Sequence, residues 1–248
     1  MNSDFLDTVQ YTPASIGDYE AVWGEGFISP GGADKAREML NSLRLPGEAR
    51  VLDVCCGVGG SAFLMAQEFG WRAVGVDLSR NMIEVAQRRC VERGLEDRVS
   101  IVQGDAAALE FEAEFDAVYS RDAFLHIHDK PRLLEGLRRS LRPGGQLVFT
   151  DYCCGERPWS DSFQQYVDER EYCLHTVYDY VALLREAGFE DVVGEDLTAE
   201  FIGTLKADLT QIAASSTQQA LKGPWEAKLQ RSLAGEQRWA IFTARRPG

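Results

Sequence analysis

The segment Val51-Leu52-Asp53-Val54-Cys55-Cys56-Gly57-Val58-Gly59-Gly60 decides the fold. Its apolar residues predict a short buried strand over 50–55, and the glycines that follow predict a tight turn. A helix predicted over 61–69 then starts at this turn. Glycines let the backbone approach a ligand closely, and the N-terminus of a helix presents free N–H groups to it. The segment therefore predicts a strand–turn–helix unit that binds a small molecule.

Strands and helices alternate along the chain on both sides of this unit. The predicted strands cover 50–55, 72–77, 99–103, 115–119, 146–152, 191–194 and 239–244. The predicted helices cover 33–43, 61–69, 79–93, 133–141, 161–172, a stretch from 176, 198–214 and 225–233. Such alternation predicts a parallel sheet with helices on both faces. Residues 1–32 show no regular pattern and are predicted to be irregular.

Composition excludes several classes of protein. The chain has 248 residues, of which 45% are hydrophobic and 26% charged, so we expect a globular domain. Its net charge of −13 argues against binding to nucleic acid or anionic membranes. Residues 1–10 are polar and acidic and predict no signal peptide, and no apolar run approaches the ~18 residues of a membrane helix. We expect a cytoplasmic monomer.

The six cysteines form two adjacent pairs and two single residues. This spacing suits neither a disulfide framework nor a CxxC metal site. We therefore expect reduced thiols and no bound metal.

Asp77 lies at the end of the second predicted strand, twenty residues after Gly57. A carboxylate at this point can accept hydrogen bonds from both hydroxyls of a ribose. The pair is ambiguous by itself, because Gly57-x-Gly59-x-x-Ala62 also matches a relaxed dinucleotide fingerprint. A dinucleotide-dependent oxidoreductase and a merely tight turn remain alternatives.

Two later motifs favour another cofactor. Gly104-Asp105-Ala106 follows the third strand, where an acid can accept a hydrogen bond from an adenine amino group, and Leu141-Arg142-Pro143-Gly144-Gly145 precedes the fifth strand. This order resembles the class I S-adenosylmethionine-dependent methyltransferases. The resemblance implies a Rossmann-like fold with a mostly parallel seven-stranded sheet, helices on both faces, and S-adenosyl-L-methionine as cofactor. The implied cofactor-binding residues are Asp53, Gly57, Gly59, Asp77, Leu78, Asp105 and Ala106. The family usually has glycine where Cys55 stands.

A closer resemblance runs nearly from end to end of the chain. The strings Gln10-Tyr11-Thr12, Gly24-Glu25-Gly26-Phe27-Ile28-Ser29, Tyr119-Ser120-Arg121-Asp122-Ala123-Phe124-Leu125-His126, Asp151-Tyr152-Cys153 and Gln237-Arg238-Trp239 are similar to those of the phosphoethanolamine N-methyltransferases. The resemblance implies a lid over 1–32, a methyltransferase domain over 33–248, and a substrate-covering helical insertion over about 155–235. It also implies stepwise N-methylation of a small amine towards phosphocholine.

The same resemblance implies roles for individual residues. Gln10, Ser29 and Arg121 correspond to cofactor contacts, and Tyr11, Asp122 and His126 to the residues around the reacting nitrogen. The substrate-binding residues are Tyr19, Ile28, Tyr152, Tyr166, Arg170, Tyr172 and Lys228. We expect the Tyr11 hydroxyl to reach His126 and to close the lid over the cofactor.

The chemistry of methyl transfer suits these residue types. A primary amine has a pKa of ~10, so holding it neutral at pH 7 costs about 4–5 kcal/mol. Asp122 can orient the amine, while a neutral His126 or Tyr11 can relay its proton. Arg170 and Lys228 can bind a phosphate through charge-assisted hydrogen bonds. Tyr166 is predicted to share one helix face with Arg170, four residues further on.

Other interpretations stay open. The chain looks shorter than the family between Phe201 and Trp225, which leaves the substrate less certain than the reaction. The same donors could hold a carboxylate, so one alternative is an imidazole N-methyltransferase acting on a histidine-derived thiol or selenol. A further alternative is a non-catalytic cofactor-binding sensor.

Overall fold

The computed structural model describes residues 6–215 and 218–248. Within these residues seven strands form one sheet in the order β3-β2-β1-β4-β5-β7-β6. The strands are β1 (Arg50–Val54), β2 (Arg72–Asp77), β3 (Val99–Gln103), β4 (Phe115–Arg121), β5 (Leu141–Cys154), β6 (Glu190–Asp196) and β7 (Gln237–Arg245). The first five are parallel, and β7 runs antiparallel to both β5 and β6. The prediction of a mostly parallel seven-stranded sheet is confirmed.

Helices cover both faces of this sheet, as predicted. They are α1 (Pro13–Trp23), α2 (Gly32–Ser42), α3 (Gly60–Glu68), α4 (Arg80–Glu92), α5 (Lys130–Ser140), α6 (Asp161–Glu169), α7 (Val177–Glu186), α8 (Thr198–Ala214) and α9 (Lys222–Leu233). Adjacent strand residues such as Val51 and Leu52 enter opposite cores, because side chains alternate across a strand. The first core packs beneath α2, α3 and α8, and the second beneath α5 and α7.

The N-terminal segment differs from the prediction. A single π-helical turn covers Leu6–Gln10, and α1 follows it, so the expectation that residues 1–32 are irregular is wrong for the described part. Thr12 caps α1 by accepting a hydrogen bond from the backbone N–H of Ser15, and Pro13 occupies the first turn. Ile16, Val22 and Trp23 are buried. The helix is therefore held by packing against the main domain.

Three element boundaries also differ. β5 begins at Leu141 rather than 146, and the register between β4 and β5 shifts where the Pro143-Gly144 turn intervenes. α6 ends at Glu169, so Arg170 caps the helix instead of continuing the face of Tyr166. The predicted insertion over 155–235 contains β6, which is an edge strand of the main sheet. The lid and domain boundaries themselves stay predictions.

All six cysteines carry free thiols, and Cys153 and Cys154 are buried. Across residues 6–215 and 218–248, none of the helices combines the length and the apolar character needed to cross a membrane.

Candidate active site

A cavity of about 330 Å³ lies beyond the carboxyl ends of the parallel strands, where ligands bind in open α/β sheets. The glycine turn after β1, the end of β2 and the end of β4 form its walls. Eight predicted cofactor-binding residues line it: Ser29, Asp53, Gly57, Asp77, Leu78, Asp105, Ala106 and Arg121.

Asp77 holds the glycine turn in place. Its Oδ2 accepts a hydrogen bond from the backbone N–H of Gly57, and its Oδ1 accepts one from Ser79, both at 2.9 Å. Each carboxylate oxygen keeps a second lone pair for another donor. Asp77 can therefore anchor the turn and still accept hydrogen bonds from a ligand in the cavity.

Two ionisable side chains that line this cavity retain unused hydrogen-bonding atoms. Asp53 Oδ2 and Arg121 Nε are buried without a partner among the described residues. Burial, reinforced by the negative charge of Asp77, raises the pKa of Asp53 to about 8. The outer nitrogens of Arg121 donate to the carbonyls of Pro30 and Gly32, which ties the start of α2 to β4.

Two predicted cofactor residues lie elsewhere. Gln10 lines a second cavity, and its Nε2 is 3.2 Å from Nε2 of His126. Gly59 starts α3 at a φ of 87°, and a side chain there would meet the Phe63 ring at 2.7 Å. A glycine is thus needed at position 59, both for the turn and for the packing of Phe63. Cys55 has a φ of 58°, in the left-handed region that glycine adopts most easily. This agrees with the glycine that class I methyltransferases usually have at this position.

The second cavity, of about 260 Å³, adjoins the first. All seven predicted substrate-binding residues line it: Tyr19, Ile28, Tyr152, Tyr166, Arg170, Tyr172 and Lys228. The residues that line both cavities are Tyr11, Ile28, Asp122 and His126. The three predicted catalytic side chains therefore lie where the two cavities meet.

Tyr11 and His126 are in contact at this junction. The Tyr11 hydroxyl oxygen is 3.3 Å from His126 Nε2, and the two rings meet edge-on. Burial lowers the pKa of His126 to about 3 and raises the pKa of Tyr11. Both side chains are therefore neutral at pH 7. The amide nitrogen of Gln10 can only donate, so His126 Nε2 serves as the acceptor in this group.

Asp122 faces the junction in a strained conformation. Its φ is 51°, its backbone N–H donates to the Thr150 carbonyl at 2.8 Å, and its Oδ1 accepts a hydrogen bond from the Trp239 indole at 2.6 Å. Its Oδ2 is buried without a partner among the described residues. Strained residues of this kind concentrate at functional sites, and an unpaired carboxylate oxygen attracts a cationic donor.

Lys228 lines the second cavity but not the first. Its Nζ lies 5.0 to 5.5 Å from the ring centres of Trp23, Tyr152 and Trp225. Burial lowers the pKa of Lys228 to about 8. The two indole N–H groups both donate to Oδ2 of Asp208, which fixes the rings around the amine.

Sequence reasoning missed Arg231, which also lines this cavity. Its guanidinium lies 3.7 Å from the centre of the Tyr166 ring, and its Nε donates to the side chain of Gln237. Arg231 follows Lys228 by three residues on α9, so helical spacing could have identified it. Three basic side chains, those of Arg170, Lys228 and Arg231, thus line the second cavity but not the first, whereas Asp122 lines both.

Comparisons with known proteins identify the family. A methyltransferase-domain family model matches residues 51–145. Phosphoethanolamine N-methyltransferase 3 of Arabidopsis thaliana is 41% identical over 98% of this chain and 51% of its own length. The chain thus spans about half the length of the first plant relatives it matches. The Plasmodium falciparum phosphoethanolamine N-methyltransferase is 31% identical over 98% of this chain and 97% of its own length.

A solved structure agrees with this match. Phosphoethanolamine N-methyltransferase 2 of Haemonchus contortus, in complex with phosphomonomethylethanolamine and S-adenosylhomocysteine, superposes with a TM-score of 0.94. It shares 35% sequence identity, and the match covers all of this chain and 61% of that one. The Plasmodium relative and this chain match over nearly their whole lengths, and this excludes the dinucleotide oxidoreductase alternative. The chain belongs to the phosphoethanolamine N-methyltransferase family.

Proposed function

We propose that this chain transfers a methyl group from S-adenosylmethionine to the amine nitrogen of a phosphoethanolamine-type substrate. The observation that carries the proposal is the meeting of two cavities at Tyr11, Asp122 and His126. S-adenosylmethionine supplies an electrophilic methyl group on a sulfonium sulfur. Positioning provides most of the rate in such a displacement, so two adjoining cavities suit the reaction.

The first cavity suits the cofactor. Asp77 has free lone pairs for ribose hydroxyls, and Asp105 lies where an adenine amino group can donate to it. Asp53 has an unpaired oxygen and a raised pKa. The positive charges of S-adenosylmethionine would lower that pKa again and ionise the carboxyl group.

The charge distribution of the second cavity suits an aminoalkyl phosphate. Asp122, which lines both cavities, can accept a hydrogen bond from the amine, while Arg170, Lys228 and Arg231 line the second cavity alone. A phosphate monoester carries a charge of about −1.5 to −2 at pH 7, whereas a carboxylate carries −1. Three basic groups therefore favour a phosphate over the carboxylate of a histidine-derived substrate.

Tyr11 and His126 act at the junction. Neutral at pH 7, they can relay the proton that the amine must lose, and because burial keeps the pKa of His126 near 3, the proton passes on to solvent rather than staying on either side chain. Their contact also joins the N-terminal turn to the end of β4, which we propose closes the site and excludes water. The faces of Tyr11 and Tyr152 suit a methylated ammonium product by cation–π attraction.

A substrate screen tests the proposal. The purified chain is incubated with S-adenosylmethionine and, separately, with phosphoethanolamine, its monomethyl and dimethyl forms, and a histidine-derived imidazole thiol, and products are detected by mass. We expect methylation of at least one phosphobase, and the accepted forms reveal how many methyl groups this chain transfers. Methylation of the imidazole compound without any phosphobase product would contradict the proposal.

A further inference from the structure

Lys130, the first residue of α5, is almost completely buried, with 1% of its surface exposed. Its ammonium donates hydrogen bonds to three backbone carbonyls: Phe124 at 2.7 Å, Ile127 at 2.6 Å and Cys173 at 3.2 Å. An ammonium group has three donors, so these carbonyls use its full capacity. A buried cation that donates its hydrogen bonds to backbone carbonyls needs a reason, because burying a charge is costly.

The three carbonyls belong to two segments that both line the second cavity. Phe124 and Ile127 lie on either side of His126, which also lines the first cavity. Cys173 follows Tyr172, which with Arg170 lines the second cavity but not the first. The rings of His126 and Tyr172 also meet edge-on at 5.1 Å. Lys130 is thus bonded at once to the His126 turn (124–127) and the Arg170 loop (170–173).

Neighbouring groups support the same connection. The backbone N–H of Cys173 donates to the Leu125 carbonyl at 2.7 Å. Asp151 accepts hydrogen bonds from the Leu125 backbone N–H at 3.2 Å and from the Tyr180 hydroxyl at 2.6 Å. Burial lowers the pKa of Lys130, and the nearby carboxyl of Asp151 acts against that shift. The His126 turn is therefore fixed from two sides, by Lys130 and by Asp151.

We propose that Lys130 is a positioning residue that fixes the separation between the two ends of the substrate cavity and thereby selects the two-carbon spacer of phosphoethanolamine. The inference rests on the proposed function, because the spacer has meaning only for a substrate held at both ends. A displacement of about 1 Å can cost roughly 100-fold in rate, so an added methylene group is a sensitive probe.

The test compares phosphoethanolamine with 3-aminopropyl phosphate, which is one methylene longer. We expect Lys130→Met to lower kcat/KM for phosphoethanolamine at least tenfold more than for the longer substrate. The ratio of the two kcat/KM values, which measures the preference for phosphoethanolamine, therefore falls. Ser140→Ala is the matched control, because Ser140 is also buried on α5 but donates to Gly136 of its own helix. That variant is expected to keep the wild-type preference. Equal losses on both substrates in Lys130→Met would show a merely structural role and overturn the proposal.

A second variant and a second readout keep the test decisive. If Lys130→Met does not fold, Lys130→Gln, which retains two donors, is judged by the same substrate preference. Hydrogen exchange of the Cys173 amide, followed by mass spectrometry, is expected to accelerate in either variant, and unchanged exchange would contradict the connection between the two segments. If the wild-type protein methylates neither phosphate compound, the proposed function fails. The exchange measurement then still decides whether Lys130 connects the His126 turn with the Arg170 loop.

Discussion

Asp122 is the acidic residue among the described residues that line the second cavity, and three basic side chains line the same cavity. Its Oδ1 is occupied by Trp239, whereas its Oδ2 is buried without a partner among the described residues. The two carboxylate oxygens of Asp122 therefore have different roles. One keeps the side chain in place, and the other is available to an amine.

Asp122→Asn separates these contributions, since Oδ1 and its bond to Trp239 can remain while the charge is lost. A hydrogen bond to a charged group contributes about 1.5–3 kcal/mol, so kcat/KM for the amine should fall roughly 10- to 150-fold. The affinity for S-adenosylmethionine, measured by calorimetry, should change little. Asp116→Asn, at the opposite end of β4, serves as the control. A variant with wild-type kcat/KM would remove Asp122 from the reaction.

His126 gives a pH-dependent stability with a defined sign. Its pKa is about 3 in the folded chain and ~6.5 when unfolded, so between these values only the unfolded chain binds the proton. His126 therefore destabilises the fold increasingly as pH falls from 6.5 towards 3, by up to about 1.4 kcal/mol per pH unit. In urea titrations, His126→Gln should lose less stability than wild type on acidification. A slope in His126→Gln identical to that of the wild type would refute the assignment.

At the scale of elements, the N-terminal turn is anchored on the start of α4. The Asn81 side-chain amide donates to the carbonyls of Asp7 and Tyr11 at 3.0 and 2.9 Å, and the Ser79 hydroxyl donates to the Asp7 carboxylate at 2.6 Å. These bonds position Tyr11 against His126. Removing residues 1–30 would test this poorly, because α1 contributes Trp23 to the main core.

Asn81→Ala is a milder test of the same arrangement. We expect kcat to fall about tenfold or more, with a loss of stability of about 1–2 kcal/mol from two broken hydrogen bonds. Limited proteolysis should cut residues 6–12 faster than in wild type. Asn41→Ala, on the exposed face of α2, is the matched control. Full activity with unchanged proteolysis would show that Tyr11 is held by other contacts.

The elements also show what the sequence could and could not reveal. The sheet was predictable because its strands are short apolar runs separated by turn residues. The helix α1 was missed although Thr12-Pro13 is a capping signal, because its buried positions, among them Ile16 and Trp23, form no regular stripe. Arg231 could have been identified from its helical spacing to Lys228, but the Tyr166 ring that stacks on it lies far away in the chain and meets it only in the folded state.

At the scale of the whole molecule, an acidic chain with a net charge of −13 concentrates basic groups in one cavity. Arg231→Gln should raise KM for a phosphobase about tenfold, because a charge-assisted hydrogen bond to phosphate is lost, and should leave the affinity for S-adenosylmethionine unchanged. Exposed Arg245→Gln is the control for the loss of one positive charge. Equal KM values for the two variants would exclude Arg231 from phosphate binding.

The central claim is that the methyl group passes between two cavities at Tyr11, Asp122 and His126. The most direct measurement is a crystal structure of this chain with S-adenosylhomocysteine and phosphoethanolamine bound together. We predict that the sulfur and the amine nitrogen face each other across the junction at about 4–5 Å, which is a C–S bond of about 1.8 Å plus a near-attack distance of about 3 Å between the methyl carbon and the nitrogen. The amine should contact Oδ2 of Asp122, and the phosphate should contact Arg170, Lys228 and Arg231. An amine directed away from Asp122, or a phosphate bound in the first cavity, would contradict the account.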